Sequence, residues 1–246
     1  MVILKRNDDN KMTETKKYSG IIFDFNGTLF WDSEKHLEAW REYSKTLRGH
    51  AFTDEEMQKY MFGRTNEDII KYLIGRQPEK ELVIKCQTEK EAIYREMCAK
   101  DPEGFKLAKG AEAFLDYLCE NEIPHTIATM SEEVNVKFFI KGFKLDRWFD
   151  IDKIVFDDGK IKGKPEPDIY LKAAENLGLN PKDCIVIEDA VSGIESAYRA
   201  GIGKIVAIES METRELYSTI PAVDDIISDF DDFNKNWLET KLNKVC

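Results

Sequence analysis

Short apolar segments rich in β-branched residues recur along the chain, and each ends at polar residues. They comprise residues 21–24, 125–129, 153–156, 184–189 and 204–208, with a shorter run at 222–227. Several are almost continuously hydrophobic, which is typical of parallel strands whose two faces are both buried. The pattern therefore predicts a mostly parallel β-sheet.

Helical patterns separate most of these segments. Residues 111–120, 167–177 and 191–200 carry apolar residues at helical spacing, and Gly201 follows the last of them as a stop signal. A C-terminal helix is expected from about residue 231. Alternating strands and helices predict an α/β fold with a doubly wound sheet.

The first strand departs from this rhythm, because about 100 residues without a strand pattern follow it. Helical patterns fill this interval at residues 33–47, 53–61, 66–73 and 79–97. Ser33 is a candidate cap for the first helix, and Thr53 with Glu56 forms a capping-box pattern for the second. An inserted α-helical cap domain is the most economical explanation, and we expect it to act as a lid.

The expected organisation has three parts. Residues 1–17 form a solvated, flexible N-terminal arm. Residues 18–32 and 104–246 form the core domain, and residues 33–103 form the inserted cap domain.

The composition is that of an ordinary globular protein of 246 residues, 42% hydrophobic and 34% charged. The formal net charge of −11 argues against a general nucleic-acid or anionic-membrane partner. No apolar run approaches the roughly 18–20 residues of a membrane span, and the N-terminus lacks the apolar core of a signal peptide. Five cysteines without metal-ligand spacing indicate reduced thiols in a cytoplasmic protein, which we expect to be a monomer.

Residues that suit metal and phosphate chemistry follow the predicted strands. They are Asp24 after the first strand, Thr129 after the second, Glu188 and Asp189 after the fourth, and Lys164 before a helix. Ligands of open α/β sheets bind outside the carboxyl ends of the strands. Because carboxylates suit Mg²⁺ while a lysine and a hydroxyl donate to phosphate, the sequence predicts one site for both at this edge.

The segment Asp24-Phe25-Asn26-Gly27-Thr28 resembles the first motif of the haloacid dehalogenase (HAD) superfamily, usually Asp-x-Asp-Gly-Thr. With Thr129, Lys164 and Asp189 following in that order, the chain is similar to HAD phosphotransferases of the β-phosphoglucomutase-like branch. The resemblance extends from about residue 20 to residue 227. It implies a Rossmann-like HAD core with an inserted helical cap.

The resemblance also implies roles for these residues. Asp24 would be the nucleophile that forms an aspartyl-phosphate, Thr129 would donate to the phosphoryl oxygens, and Lys164 would balance the clustered negative charge. Asp24, Asp189 and its neighbour Glu188 would hold the Mg²⁺ cofactor.

Asn26 stands where the superfamily carries its second Asp. Its backbone carbonyl would still be a metal ligand, and backbone N–H groups around Asn26, Gly27 and Met130 would bind the phosphate. In family phosphatases the second Asp protonates the leaving oxygen and then activates water, and an amide can do neither at neutral pH. Three explanations stay open: a slow or specialised enzyme with another acid/base, a metal- and phosphate-binding protein without turnover, and an introduced Asp→Asn substitution.

Residues 32–40 are similar to the first lid helix of that branch, and His36 aligns with a histidine that assists proton transfer there. Because histidine titrates near physiological pH, His36 is a candidate replacement acid or, alternatively, a surface histidine without a role. Arg64 in the cap is a candidate contact for an anionic substrate.

A sugar-phosphate mutase is a further alternative. Phe62, Asn66, Glu132 and Glu133 stand where that enzyme carries basic or amide residues, and two carboxylates would repel a second phosphate. The sequence therefore favours Mg²⁺-dependent hydrolysis of a small phosphorylated metabolite.

Overall fold

The computed structural model describes residues 16–61 and 64–239. Most of the predicted N-terminal arm, and Phe62, lie outside these residues. The chain divides into two compact units. One unit comprises Asp32–Lys106, and the other contains the chain up to Trp31 and from Leu107 onwards.

A six-stranded sheet forms the centre of the second of these units. Its strands are β1 Gly20–Phe23, β2 His125–Glu132, β3 Val155–Asp157, β4 Cys184–Glu188, β5 Lys204–Ile208 and β6 Asp225–Ile227. Their order is β3-β2-β1-β4-β5-β6, and all five neighbouring pairs are parallel. The chain extends the sheet outwards on both sides of β1, so the topological switch point, where ligands bind in such sheets, lies at β1. The predicted fold class is confirmed.

Helices connect the strands and form the other unit. In chain order they are α1 Ser33–Arg48, α2 Asp54–Tyr60, α3 Asn66–Ile74, α4 Lys80–Lys100, α5 Ala111–Glu120, α6 Glu133–Phe143, α7 Asp168–Leu177, α8 Val191–Arg199 and α9 Arg214–Tyr217. None of the helices that the structure describes is both long and apolar enough to cross a bilayer.

Helices cover both faces of the sheet. Because successive residues of a strand point in opposite directions, neighbouring residues of β1 pack against different helices. Ile22 belongs to a buried cluster with Ile169 of α7 and Ile194 of α8. The ring of Phe23 meets the ring of Phe114 in α5 edge-on, with 6.1 Å between centroids. The carboxyl end of β1 is therefore held from both sides by apolar packing.

The unit formed by Asp32–Lys106 has its own apolar core. Trp40 of α1, Met57 of α2, Ile70 of α3 and Cys86 of α4 are buried in one cluster. The capping box of Thr53 and Glu56 at the start of α2 is present, as predicted. Asp32 rather than Ser33 is the N-cap residue of α1, and its side chain makes no capping hydrogen bond, so that prediction is wrong.

Two other features differ from the prediction. Helix α6 was not predicted, although its buried Val136 and Phe139 stand at helical spacing. The expected C-terminal helix is absent from the described residues, which show 3₁₀ turns at Phe230–Asp232 and Lys235–Trp237. Before each turn, Asp229 or Asn234 accepts the N–H group two residues on, and such local bonds compete with an α-helix.

Candidate active site

The turn after β1 brings Asp24 to the carboxyl edge of the sheet. The Asp24 N–H group donates to the carbonyl of Ile187 in β4 at 3.0 Å, which ties the residue to the neighbouring strand. Gly27 has a φ of +84°, and a Cβ atom there would collide with the carboxylate of Asp189. Only glycine therefore allows Asp189 to lie this close to the turn.

The N–H group of Gly27 donates to the carbonyl of Phe30 at 2.7 Å. This bond closes the turn on itself, and the expected role of N–H groups around Gly27 in binding phosphate stays a prediction. Met130 lies in β2 beside Thr129, and its side chain packs against the buried cluster that includes Ile22.

Three carboxylates converge at this edge of the sheet. Asp24, Glu188 and Asp189 are all buried, and one oxygen from each lies within 4.8 Å of the others. The hydroxyl of Thr28 donates to Asp189 Oδ1 at 3.0 Å. Residues far apart in sequence are thus assembled into a compact set of hard oxygen donors.

Among the described residues, Lys164 is a cation that faces this set. Its Nζ lies 2.5 Å from Asp24 Oδ1 and 2.6 Å from Glu188 Oε1, and the side chain is 9% exposed. Burial alone would lower the pKa of Lys164, but the charges of Asp24 and Glu188 outweigh it and hold that pKa well above its usual range. Lys164 therefore carries a positive charge at any physiological pH.

The buried charges do not balance. Three carboxylates and one ammonium leave an excess of two negative charges, and burial penalises such an excess. Burial, together with the charges of Glu188 and Asp24, raises the pKa of Asp189 well above its ordinary value. A divalent cation would neutralise the excess, and carboxylate oxygens are the ligands that Mg²⁺ prefers, so the residues present fit this ion.

Glu188 is held on both of its oxygens. Oε1 accepts from Lys164 and from the hydroxyl of Tyr170, at 2.6 and 3.1 Å, and Oε2 accepts from the Ala190 N–H group at 2.6 Å. These bonds fix the direction in which the carboxylate faces its neighbours.

Asn26 is tied to β2 through its side chain. Its Oδ1 accepts from the hydroxyl of Ser131 at 2.6 Å and from the hydroxyl of Thr129 at 3.3 Å. Two hydroxyl donors on one atom assign it as the amide oxygen, and the NH₂ group then points the other way. The amide can donate hydrogen bonds there but cannot transfer a proton.

Ser131, Tyr170 and Thr28 were not singled out from the sequence. Ser131 follows Thr129 by two residues in β2, and residues at this spacing share one face of a strand. The strand was predicted to end at Thr129, and because of this boundary error Ser131 was not recognised as a residue of the site. Tyr170 carries no comparable signal, because its spacing also fits a purely apolar helix face.

His36 and Arg64 belong to the unit formed by Asp32–Lys106, whereas the other predicted site residues belong to the sheet-containing unit. His36 Nδ1 lies 2.7 Å from Lys90 Nζ, and Nε2 lies 3.3 Å from Asp32 Oδ2. Because an ammonium only donates, Nδ1 accepts from Lys90, and Nε2–H faces Asp32. Both ring nitrogens are therefore engaged within their own unit. Arg64 is exposed.

Comparisons with known proteins agree with this geometry. The family model described as "Haloacid dehalogenase-like hydrolase" matches residues 21–207. Hexitol phosphatase A of Escherichia coli is 31% identical over 199 residues, covering 80% of this chain and 86% of that protein. Phosphorylated carbohydrates phosphatase of Thermotoga maritima is 26% identical, covering 76% and 84%.

A solved structure extends the likeness to the whole fold. The crystal structure of a HAD hydrolase, family IA, variant 3, from Entamoeba histolytica superposes with a TM-score of 0.84 at 39% identity, covering 89% of this chain and 96% of that one. Because the family model matches residues 21–207, well over half of the chain, the chain belongs to the haloacid dehalogenase-like hydrolase family.

Proposed function

We propose that this protein is a Mg²⁺-dependent phosphohydrolase that cleaves a small phosphate ester through an aspartyl-phosphate on Asp24. The observation that carries the proposal is the buried set of Asp24, Glu188 and Asp189, neutralised only in part by Lys164. A site with this charge excess stabilises a divalent cation and, through it, a phosphoryl group.

The metal would be held by carboxylate oxygens of Asp24, Asp189 and Glu188 and by the backbone carbonyl of Asn26. When bound, Mg²⁺ supplies positive charge to the phosphoryl oxygens and to the attacking carboxylate. Lys164 Nζ lies 2.5 Å from Asp24 Oδ1 and orients this carboxylate, one oxygen of which would be the nucleophile.

Each chemical step exchanges one bond at phosphorus. In the first step an Asp24 oxygen bonds to phosphorus while the ester P–O bond breaks, and the leaving oxygen keeps the electron pair. In the second, water attacks phosphorus, phosphate leaves and Asp24 is restored. The hydroxyl of Thr129 donates to Asn26 Oδ1 at 3.3 Å, and by rotating it would donate instead to a phosphoryl oxygen as negative charge develops.

Asn26 sets the speed of both steps. Its amide cannot protonate the leaving oxygen or take a proton from water, so solvent has to do so. Esters with acidic leaving groups, such as acetyl phosphate, suffer least in the first step. We therefore propose slow turnover, with hydrolysis of the aspartyl-phosphate as the slower step.

The same residue favours a second candidate, a metal- and phosphate-binding protein that has lost turnover. Relatives named hexitol phosphatase A and phosphorylated carbohydrates phosphatase support the hydrolase and suggest a phosphorylated sugar or polyol as the substrate class. Contributions of the unit formed by Asp32–Lys106, including His36 and Arg64, stay predictions.

A screen of phosphate esters with Mg²⁺, acetyl phosphate included, tests the proposal. We expect phosphate release that depends on Mg²⁺, disappears in Asp24→Ala and persists in Lys172→Ala, a control at an exposed lysine of α7. Phosphate binding without turnover of any ester would replace the hydrolase with the second candidate. Turnover that survives in Asp24→Ala would place the chemistry elsewhere.

A further inference from the structure

Tyr217 is a fully buried residue whose hydroxyl contacts the backbone of the carboxylate site rather than its side chains. It ends α9, the short helix after β5. The hydroxyl lies 2.5 Å from the backbone carbonyl of Asp189 and 3.2 Å from that of Ile208. A phenol keeps its proton at neutral pH, so Tyr217 is the donor and the carbonyls accept.

The Asp189 carbonyl belongs to a peptide group that is held at both ends. Its oxygen accepts from Tyr217, and its N–H group, that of Ala190, donates to Glu188 Oε2 at 2.6 Å. A peptide group is planar and rigid, so fixing the oxygen also fixes the direction of the N–H group. Tyr217 is thereby connected to Glu188 through two hydrogen bonds and one peptide plane.

The same peptide group follows the Cα atom of Asp189 directly. The Asp189 carboxylate is held at its far end by Thr28 at 3.0 Å, and its backbone is held by Tyr217. One peptide plane therefore contributes to the orientation of two of the three converging carboxylates, beside the bonds from Lys164, Tyr170 and Thr28.

We propose that Tyr217 is a positioning residue for the metal site, which it serves by fixing the peptide group between Asp189 and Ala190 before the ion binds. This inference rests on the proposed function, because it assigns Asp189 and Glu188 to the metal. A residue that only filled space would need the ring and not the hydroxyl, and Tyr217→Phe separates these two contributions.

Tyr18→Phe is a matched control in the same unit. Its hydroxyl also donates to a backbone carbonyl, that of Gly203, at 3.1 Å, and Gly203 lies outside the site. Mg²⁺ affinity is measured by calorimetry on the full chain without substrate, beside kcat, KM and the thermal midpoint. We expect Tyr217→Phe to weaken Mg²⁺ binding by roughly 10–100-fold, as loss of an outer hydrogen-bond partner typically does. Tyr18→Phe should lower the thermal midpoint about as much as Tyr217→Phe does, but it should leave the Mg²⁺ affinity unchanged.

Equal Mg²⁺ affinity in the wild type and in Tyr217→Phe would overturn the inference and leave the proposed function standing. A wild-type protein that binds no Mg²⁺ would remove the proposed function and this inference together. Amide exchange in the wild type tests the same point without a variant. The Ala190 amide should exchange slowly in the metal-free protein, and fast exchange there would show that the peptide group is not fixed in advance.

Discussion

Replacing Asn26 with aspartate would supply the carboxyl group that the proposed mechanism assigns to proton transfer at this position. Asn26 Oδ1 accepts hydroxyl hydrogen bonds from Ser131 at 2.6 Å and from Thr129 at 3.3 Å. A carboxylate oxygen of the same size accepts both bonds, so Asn26→Asp keeps these two contacts with β2. The variant therefore changes the chemistry of the side chain while it keeps its attachment to β2.

The size of the effect follows from the two steps. A general acid or base typically accelerates a reaction by about 10²–10⁴, which corresponds to about 3–5 kcal/mol. Alkyl phosphates need a proton in the first step and a base in the second, so they should gain near the upper end. Acetyl phosphate has an acidic leaving group and gains only in the step with water, so its increase should be the smaller one.

Steady-state phosphate release with saturating Mg²⁺ measures this difference. Asn26→Ala is the control, because it removes the amide without supplying a carboxyl group, and it should not raise turnover. A rate for Asn26→Asp no higher than that of the wild type, for both classes of substrate, would refute the assignment of residue 26 to proton transfer.

Three further predictions concern charge and histidine. Lys164→Met leaves buried carboxylates without their partner and should destabilise the metal-free protein by about 3–5 kcal/mol in urea unfolding, whereas the exposed Lys172→Met should change stability by less than about 0.5 kcal/mol. A hydrogen bond from Arg48 lowers the pKa of Glu56, so the wild type should exceed Glu56→Gln in stability above the unfolded carboxyl pKa of about 4.3. This advantage should shrink progressively as the pH falls below that value towards the lowered pKa of the folded protein. An advantage as large at pH 3 as at pH 7 in thermal unfolding would contradict the ion pair. If His36 transfers protons as predicted, His36→Ala should lose at least roughly tenfold in turnover. His50 is an exposed histidine of the same unit, and His50→Ala should lose none. An unchanged rate in His36→Ala rejects the predicted role.

The sheet could be predicted because its signal is local. Residues 184–188 are buried along their whole length, and short apolar runs such as residues 184–187 are typical of parallel strands covered on both faces. The positions of Asp24, Glu188 and Asp189 followed from the same signal, since the ends of parallel strands lie at one edge. The ends of the strands were predicted less accurately. In the structure β2 continues beyond Thr129 to Glu132, and Ser131 therefore belongs to the site.

Contacts between distant segments could not be predicted from one sequence. Tyr217 and Asp189 are joined by a hydrogen bond across 28 positions, and no spacing rule connects them. The hydrogen bond from the Gly27 N–H group to the carbonyl of Phe30 was likewise not predicted, because the resemblance suggested only that N–H groups around Gly27 face a phosphate. In each case the deciding factor is which partner the fold brings within hydrogen-bond distance.

Phosphorylation of Asp24 is the most direct test of the central claim. Because Asn26 leaves water poorly activated, an aspartyl-phosphate formed from acetyl phosphate should accumulate, and intact-mass measurement should detect it. We predict one added phosphoryl group that requires Mg²⁺, maps to Asp24 and is absent from Asp24→Asn. No modification with Mg²⁺ present, or the same modification in Asp24→Asn, would contradict the account.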